Sequence, residues 1–490
     1  MEGGPLIPVD RKGISLKVLK AKDRVIFAEA DYEFVDILLS FLTLPIGTVV
    51  RLVGPDSTSI GPLTSMYNSV SSLESGHLQT DYCKEMLLNP RNASETECSK
   101  LKINVYPQEP AKLYTCGCFD FEWSESGCGT DRWFSTFKDR ECPSECRMSA
   151  LAKVEEDKAI KGGGGVFVKD VAARFMITDD LHVMAASTAA CILLFQMLGI
   201  NDGNEIEESH LVFDTQEVIR LLKFALLSKS PLTEAILYVH CSSKKESVKF
   251  QLKGTPQPDK NASASNIKNM TLKLLVSKSK KTVLYAEAEV DVVDFLFSFL
   301  TYPLGSIIRL LGKKSGFGCV DNLYKSAEDL STGGYLKSQE CTKMLVCPKL
   351  APFHNVENQL LQIEEASYPM YVSDSSQGLW VVTRSPEMNF FAAVMDPKSP
   401  TGVVDAGKGY MKGPATFMIL NDLTVSPLSP VKSVALLNQM NVPINDVVEC
   451  VVTIGHDEAL NLLNASLISK TVLSDVFNQE EPYPEVMLKV

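Results

Sequence analysis

The sequence repeats itself, and this repeat constrains the fold more than any other feature of the chain. Residues 25–54 (VIFAEADYEFVDILLSFLTLPIGTVVRLVG) align with residues 283–312 (VLYAEAEVDVVDFLFSFLTYPLGSIIRLLG), and about half of the positions are identical. A second block follows in the same order, because FMITDDLHVMAAS from Phe175 matches FMILNDLTVSPLS from Phe417. Chance does not produce such a collinear series, so we predict two tandem modules with one shared fold.

The start of each module predicts a β-hairpin followed by a buried helix. Apolar residues alternate with polar ones from Ile14 to Val18, which is typical of a half-buried strand, and a second strand is predicted at 25–28. The next apolar residues have helical spacing and few polar neighbours, and this helix ends before proline in both copies. The positions are Phe34, Ile37, Leu38 and Phe41 in the first copy, and Val292, Phe295, Leu296 and Phe299 in the second.

Further strands and helices are predicted towards the end of each module. Residues 175–183 indicate two short strands joined by an Asp-Asp turn, and Ser429-Pro430 indicates the start of a helix. Asp214 and Glu217 have the spacing of a capping box. We therefore predict an α+β protein with module one at 12–238, a linker at 239–268, module two at 269–478 and a tail at 479–490.

Composition and charge narrow the classes of function. The net charge of −12 disfavours a protein that neutralises nucleic-acid phosphates. The N-terminus lacks the apolar core of a signal peptide, and the most apolar stretch, 292–312, contains Asp294, Pro303 and Arg309. We therefore expect a soluble protein of the cytoplasm or nucleus, without a membrane partner, in which the 13 cysteines are mainly core residues.

These residues carry a resemblance to a known family. LKLLVSKSKKTVLYAEAEVDVVDFLFSFLTYPLGSIIRLLG, the later DNLYKSAEDL, and FMILNDLTVSP with SKTVLSDVF resemble the plant family called domain of unknown function 674. The resemblance covers nearly the whole chain. It implies a plant protein with the shared fold, often built from two modules, and it implies no activity.

A cysteine-rich insert at about 115–147 is the strongest local signal for a ligand. Four thiolates, from Cys116, Cys118, Cys142 and Cys146, have the paired arrangement of a structural zinc ribbon. The resemblance implies a cysteine-rich knuckle here as well. However, neither pair has the usual two-residue spacing, Cys128 is a further candidate, and the matching stretch of the second copy has no cysteine. The alternative is a surface loop with free or occasionally oxidised thiols.

Two other features admit a functional and a structural interpretation. Residues 402–408 have the glycine and lysine spacing of a phosphate-binding loop, but Gly409 stands where a magnesium-binding Ser or Thr is needed, so we favour a flexible turn. A polar stripe on the buried helix is identical in both copies, and we favour local hydrogen bonding over a ligand groove. The stripe consists of Asp36, Ser40 and Thr43, matched by Asp294, Ser298 and Thr301.

No catalytic motif stands out in the sequence. The six histidines do not match between the copies, and neither G-x-S-x-G nor H-E-x-x-H occurs. We therefore expect a non-enzymatic interaction or scaffold protein with protein partners and one structural zinc in the first copy. The alternative is a small-molecule-binding protein or enzyme with its site between the modules. Nucleic-acid binding has local support only from Arg132, Lys138 and Arg140.

Overall fold

The computed structural model describes residues 13–54, 60–106, 108, 112–116, 132–154, 165–169, 173–237, 269–367, 371–374, 381–383, 391–400 and 409–477. The first half contains the strands β1 (Ile14–Ala21), β2 (Arg24–Ala30), β3 (Tyr114–Cys116), β4 (Arg132–Phe134), β5 (Arg140–Glu141), β6 (Arg147–Leu151), β7 (Lys153–Val154), β8 (Phe175–Thr178), β9 (Val183–Ala185) and β10 (Ile206–Phe213). Its helices are α1 (Tyr32–Ser40), α2 (Ile46–Val53), α3 (Pro62–Ser72), α4 (Asp81–Leu88), α5 (Glu95–Cys98), α6 (Thr188–Met197), α7 (Thr215–Leu227) and α8 (Pro231–Leu237).

The second half contains corresponding elements. Its strands are β11 (Met270–Ser277), β12 (Thr282–Glu289), β13 (Tyr371–Asp374), β14 (Val381–Thr383), β15 (Phe391–Val394), β16 (Thr416–Leu420), β17 (Val425–Pro427) and β18 (Val447–Ile454). Its helices are α9 (Val290–Ser298), α10 (Leu304–Leu310), α11 (Val320–Thr332), α12 (Gln339–Val346), α13 (Pro430–Gln439), α14 (His456–Ile468) and α15 (Val472–Phe477). The predicted α+β class is confirmed.

Each half has one antiparallel five-stranded sheet, and the two sheets have the same strand order. The first sheet runs β10-β1-β2-β8-β9, and the second runs β18-β11-β12-β16-β17. Both opening hairpins contain a bulge on their second strand, at Ile26 opposite Leu19 and Lys20 and at Leu284 opposite Leu275 and Val276. The turns after β8 and β16 each hold a buried leucine, Leu181 or Leu423, in the left-handed region of backbone space. Turn and sheet geometry therefore correspond between the halves.

The predicted buried helix lies at the centre of each half. Asp31 caps α1 by accepting hydrogen bonds from the N–H groups of Glu33 and Phe34, and every residue from Phe34 to Ser40 is buried. The chain continues as a 3-10 turn to Thr43 before Pro45, and α9 behaves in the same way up to Thr301. The helices that follow, α2 and α10, begin directly after the prolines that end these turns.

The two halves share one hydrophobic core and are joined by reciprocal backbone bonds. The N–H of Ile46 donates to the carbonyl of Tyr302 (3.1 Å), and the N–H of Leu304 donates to the carbonyl of Leu44 (3.0 Å). Between these two bonds, Pro45 and Pro303 face each other in an antiparallel bridge. One continuous cluster of buried side chains runs through both halves, so the two halves pack as one body.

Each half also covers a sheet edge of the other half. Ser326 on α11 accepts a hydrogen bond from the N–H of Val183 on β9 (2.9 Å). Ser69 on α3 accepts the equivalent bond from Val425 on β17 (2.9 Å). An edge strand with open N–H groups can pair with another chain, and these helices occupy that position on β9 and β17.

The cysteine-rich insert and the segment directly after it join the second half through a composite sheet. Strand β4 pairs in parallel with β15, and β7 pairs in parallel with β14, which gives the order β4-β15-β13-β14-β7. Strands β3, β6 and β5 form a separate small sheet. The predicted linker at 239–268 and tail at 479–490 lie outside the described residues.

Candidate functional site

The described cysteines of the insert gather in one small cluster. Cys116 lies on β3, while Cys142 follows β5 and Cys146 precedes β6. The N–H of Cys142 donates to the carbonyl of Cys146 (2.9 Å), so these two residues close a tight turn. Cys116 and Cys142 are buried beside Met148 and Met395, and Cys146 packs against them.

Of the four predicted metal ligands, the structure therefore brings Cys116, Cys142 and Cys146 into one region. Cys118 and the further candidate Cys128 lie outside the described residues. Within the part of the chain that is described, no three His, Cys, Asp or Glu side chains are arranged to hold a metal ion. The zinc site stays a prediction.

The side chains of the polar stripe on the buried helices form hydrogen bonds with backbone groups. Oδ1 of Asp36 accepts hydrogen bonds from the N–H groups of Phe167 (3.0 Å) and Val168 (2.8 Å), and Oδ2 accepts one from Val166. The hydroxyls of Ser40 and Thr43 donate to carbonyls three residues earlier on their own helix. These contacts match the structural interpretation of the stripe, because each polar group has a partner in the protein.

Asp294 does the same for the second half, with one difference. Its Oδ1 accepts hydrogen bonds from the N–H groups of Tyr410 (2.7 Å) and Met411 (2.9 Å). Its Oδ2 accepts no hydrogen bond from the described residues, whereas the same atom of Asp36 accepts one from Val166. Burial raises the pKa of Asp36 to about 6 and that of Asp294 to about 7, and the backbone N–H bonds partly offset this effect.

The backbone segment that each aspartate holds also forms backbone hydrogen bonds with the opposite half. The N–H of Lys337 donates to the carbonyl of Phe167 (2.9 Å), and the N–H of Gln79 donates to the carbonyl of Tyr410 (2.9 Å). The bridges Val168–Leu336 and Leu78–Met411 continue these contacts. The buried aspartates thus hold the segments that tie the halves together.

Glycine is required where each segment meets its aspartate. A Cβ atom on Gly165 would lie 2.5 Å from Oδ2 of Asp36, and one on Gly409 would lie 1.7 Å from Oδ2 of Asp294. Gly165 ends a run of four glycines at 162–165, and Gly409 directly follows the phosphate-loop candidate. The phosphate-loop candidate at 402–408 lies outside the described residues, and the chain after it leads to strand β16. A phosphate-binding loop would open a helix there.

A pocket of about 160 Å³ opens beside Asp294. The second half contributes Asp291, Asp294, Glu357 and Asn358 to its wall, and the first half contributes Gln79. The side chain of Asp294 is 8% exposed. None of the described lining residues is a Lys, Arg or His, so the wall is acidic.

Two buried cations, Lys398 and Arg140, have protein partners. Lys398 donates to the carbonyl of Asn355, and its Nζ lies 5.4 Å from the centroid of the Tyr410 ring. Arg140 of the insert donates to the carbonyl of Ser399 and lies 5.5 Å from the Tyr82 ring centroid. Because Arg140 is only 6% exposed, it is not available to a nucleic acid, and part of the local support for that function is lost.

Two apolar helices lie on the outside of the molecule. α6 packs Leu194 and Phe195 against Phe27 and Met176 of the first sheet, and none of its own residues is buried. α13 packs Leu437 against Tyr285 and Met418 of the second sheet. Their outward faces carry large exposed apolar side chains, namely Ile192, Leu193, Met197 and Leu198 on or directly after α6, and Val431, Val434 and Met440 on or directly after α13.

Two glutamates that match between the copies, Glu29 and Glu287, lie close to cations of their own half. Glu29 lies 3.9 Å from Arg174, and Glu287 pairs with Lys273 (3.2 Å) across the hairpin. Nε and Nη2 of Arg51 have no hydrogen-bond partner among the described residues. The glutamates therefore belong to the sheet surface.

Comparisons with known proteins identify a family and no function. A family model described as "Protein of unknown function (DUF674)" matches residues 11–457. No curated protein and no solved structure matches this chain. In the described ranges, no helix has the length and apolar character needed to cross a bilayer.

Proposed function

The chain belongs to the DUF674 family of proteins of unknown function, and we propose that it is a non-enzymatic interaction protein that binds a partner protein through α6. The observation that carries this proposal is the outward face of α6. Leu193 is 58% and Met197 is 76% exposed, although both lie in a helix without a charged residue. Contiguous exposed apolar surface of this kind marks interaction sites in soluble proteins.

The surroundings of α6 define the chemistry of the partner. The segment directly after α6 carries four exposed acidic side chains, Asp202, Glu205, Glu207 and Glu208. Ile200 and Ile206 of this segment pack in the same cluster as α6, so the acidic side chains border the apolar face. The complementary partner is an apolar helix flanked by lysine or arginine, because opposite charges at the rim direct association.

The corresponding helix of the second half has a different border. α13 carries Lys432, and Lys280 donates to the carbonyl of Met440 at its C-terminal end (2.8 Å). Asp446, nearby, accepts hydrogen bonds from Ser277 and Ser279. We therefore propose that the partner helix with its flanking lysines or arginines binds α6. Because α13 has basic groups at its border, it serves as the matched control.

The test replaces exposed residues of α6 in the full-length chain. Leu193→Glu and Met197→Glu should leave stability within about 0.5 kcal/mol of the wild type, because both side chains point to solvent. Both should abolish binding of the partner protein, measured with the purified pair. Val431→Glu on α13 changes an equally exposed residue (79%) and should bind like the wild type. Cross-linking with mass spectrometry should place the bound peptide beside α6, between lysines or arginines.

Two results contradict the proposal. The first is a partner that binds Leu193→Glu and wild type equally. The second is self-association of the wild type that Leu193→Glu removes, measured by sedimentation, because a second copy of the chain would then be the occupant.

We also propose that the insert binds one structural zinc ion through Cys116, Cys118, Cys142 and Cys146. The support is the common cluster of the three described cysteines and the tight turn between Cys142 and Cys146. Protein purified without chelator should contain about one equivalent of zinc, and Cys142→Ser should lose it together with the order of the insert. Cys347→Ser, at an exposed cysteine of the second half, should retain the metal. A wild type with less than about one-tenth of an equivalent rules the site out.

A second candidate function is small-molecule binding between the halves. The observation that favours it is the pocket beside Asp294, to which Gln79 of the first half and Glu357 of the second both contribute. A pocket at such a junction is a common location for a ligand.

A further inference from the structure

We propose that the pocket beside Asp294 binds a small organic cation, an ammonium group on a short aliphatic chain. This inference rests on the second candidate function above, gives it a ligand class, and is independent of partner binding at α6. Its starting point is the difference between the two buried aspartates.

The unequal use of the two carboxylates points to a ligand in the second half only. Both oxygens of Asp36 accept backbone N–H groups, so its site is closed by the protein. Asp294 is equally placed on its helix, but both of its N–H donors bind Oδ1. Its Oδ2 lacks a partner among the described residues, while the residue lines the pocket and is more than nine-tenths buried. A carboxylate oxygen in the wall of a pocket can accept a charge-assisted hydrogen bond from a cationic ligand.

The other polar groups of the pocket are mainly acceptors. Asp291 and Glu357 add two carboxylates to the wall. The amide nitrogen of Gln79 donates to the carbonyl of Met411 (3.0 Å), which leaves the amide oxygen of Gln79 as an acceptor. Lys398 is the charged group that lowers the pKa of Asp294, and its ammonium already donates to Asn355. The wall therefore favours a ligand that donates hydrogen bonds and carries positive charge.

Size and arrangement select an alkylammonium ion over a metal ion. The described carboxylates do not form a group of three that could hold a metal. Val290, Val356 and Met411 give the pocket apolar walls, which suit a methylene chain as they suit the stem of a lysine. The volume of 160 Å³ has room for about five water-sized groups. Butylamine, with one nitrogen and four carbons, matches this space.

The test measures binding of butylamine to the full-length protein by calorimetry at about pH 8, where the Asp294 carboxyl is mostly ionised. We expect saturable binding at concentrations up to about 10 mM, and none of butan-1-ol, which has the same shape without the charge. Asp294→Asn keeps Oδ1 as acceptor for Tyr410 and Met411 but removes the charge, so the affinity should fall at least about tenfold. Glu357→Gln, at an exposed position of the wall, should weaken binding by a smaller factor.

Glu328→Gln is the control for net charge, because Glu328 on α11 does not line the pocket and pairs with Lys313. It should bind butylamine like the wild type. Equal binding of butan-1-ol, equal binding by Asp294→Asn, or the absence of saturable binding by the wild type each overturns the proposal. None of these results touches the binding of a partner protein to α6, so the two proposals fail separately.

Discussion

At the scale of single residues, two aspartates hold the backbone segments that connect the two halves. Asp36 and Asp294 are identical in the sequence, and both hold a backbone segment that continues into the opposite half. A carboxylate that accepts several backbone N–H groups stabilises a segment that would otherwise leave these donors unpaired. The sequence therefore predicted that Asp36 and Asp294 lie on a buried helix and form hydrogen bonds, although it did not reveal which backbone groups they bind.

We predict that the glycines facing these aspartates cannot be replaced. Gly409→Ala should lower the free energy of unfolding by about 2 to 3 kcal/mol, because the added methyl group would overlap the Asp294 carboxylate and force the segment outwards. Gly165→Ala should have a similar effect at Asp36. Urea unfolding of both variants measures this loss. Gly76→Ala is the control, since a Cβ there has no atom within 4 Å. Equal stability of all three variants would contradict the close packing of Gly165 and Gly409 against the aspartates.

We also predict a pH dependence of stability that originates at Asp294. Burial raises its folded-state pKa to about 7 from the ordinary 3.8, so the folded protein retains a proton that the unfolded chain has lost. The stability that this proton contributes is complete below about pH 4 and is lost as the pH rises to about 7. The midpoint of urea unfolding should therefore fall less between these pH values in Asp294→Asn than in the wild type. An identical fall in both proteins would assign the dependence to other groups.

At the scale of elements, local sequence signals predicted local structure well. The opening hairpin, the buried helix, the Asp-Asp turn and the capping box at Asp214 all lie where the residues indicated. Such features depend on neighbours in the chain, and hydrophobic periodicity or capping residues reveal them. The composite sheet was not predicted, because the pairing of β4 with β15 joins segments far apart in sequence and leaves no periodic signal.

We predict that the serines covering the sheet edges stabilise the junction of the halves. Ser326→Ala would leave the N–H of Val183 unpaired in a buried environment, and Ser69→Ala would do the same to Val425. Each variant should lose about 1 to 3 kcal/mol. Ser99→Ala removes an exposed hydroxyl that binds only the nearby carbonyl of Thr96, and it should stay within about 0.5 kcal/mol of the wild type. Thermal unfolding monitored by circular dichroism distinguishes these outcomes; matching melting curves for all variants would show that the edge bonds are dispensable.

At the scale of the whole molecule, the sequence predicted two modules joined by a linker. The structure shows in addition that the two halves are in extensive contact. The core cluster is continuous, each half covers an edge of the other, and the insert completes a sheet with strands of the second half. These contacts depend on residues hundreds of positions apart, so no local pattern could predict them. The sequence offered a site between the modules as an alternative, but no local pattern indicated that Gln79 and Glu357 line one pocket, because they meet only in three dimensions.

We predict that each half needs the other in order to fold. If the chain is divided within the predicted linker and both pieces are expressed together, they should associate as a one-to-one complex with cooperative unfolding. Each piece alone should aggregate, because the shared core would be exposed to water. Size-exclusion chromatography with light scattering measures the association. A single half that is monomeric and unfolds cooperatively would show that the halves are independent domains.

The bridge between Pro45 and Pro303 has a consequence for ancestry. Two equivalent segments exchange identical backbone bonds there, as in an isologous dimer with a twofold axis. A chain with only one such half would have to pair with a copy of itself, and both of its aspartates would then be alike by symmetry. In a single polypeptide that constraint is absent, and both oxygens of Asp36 accept backbone N–H groups whereas, among the described residues, only Oδ1 of Asp294 does so.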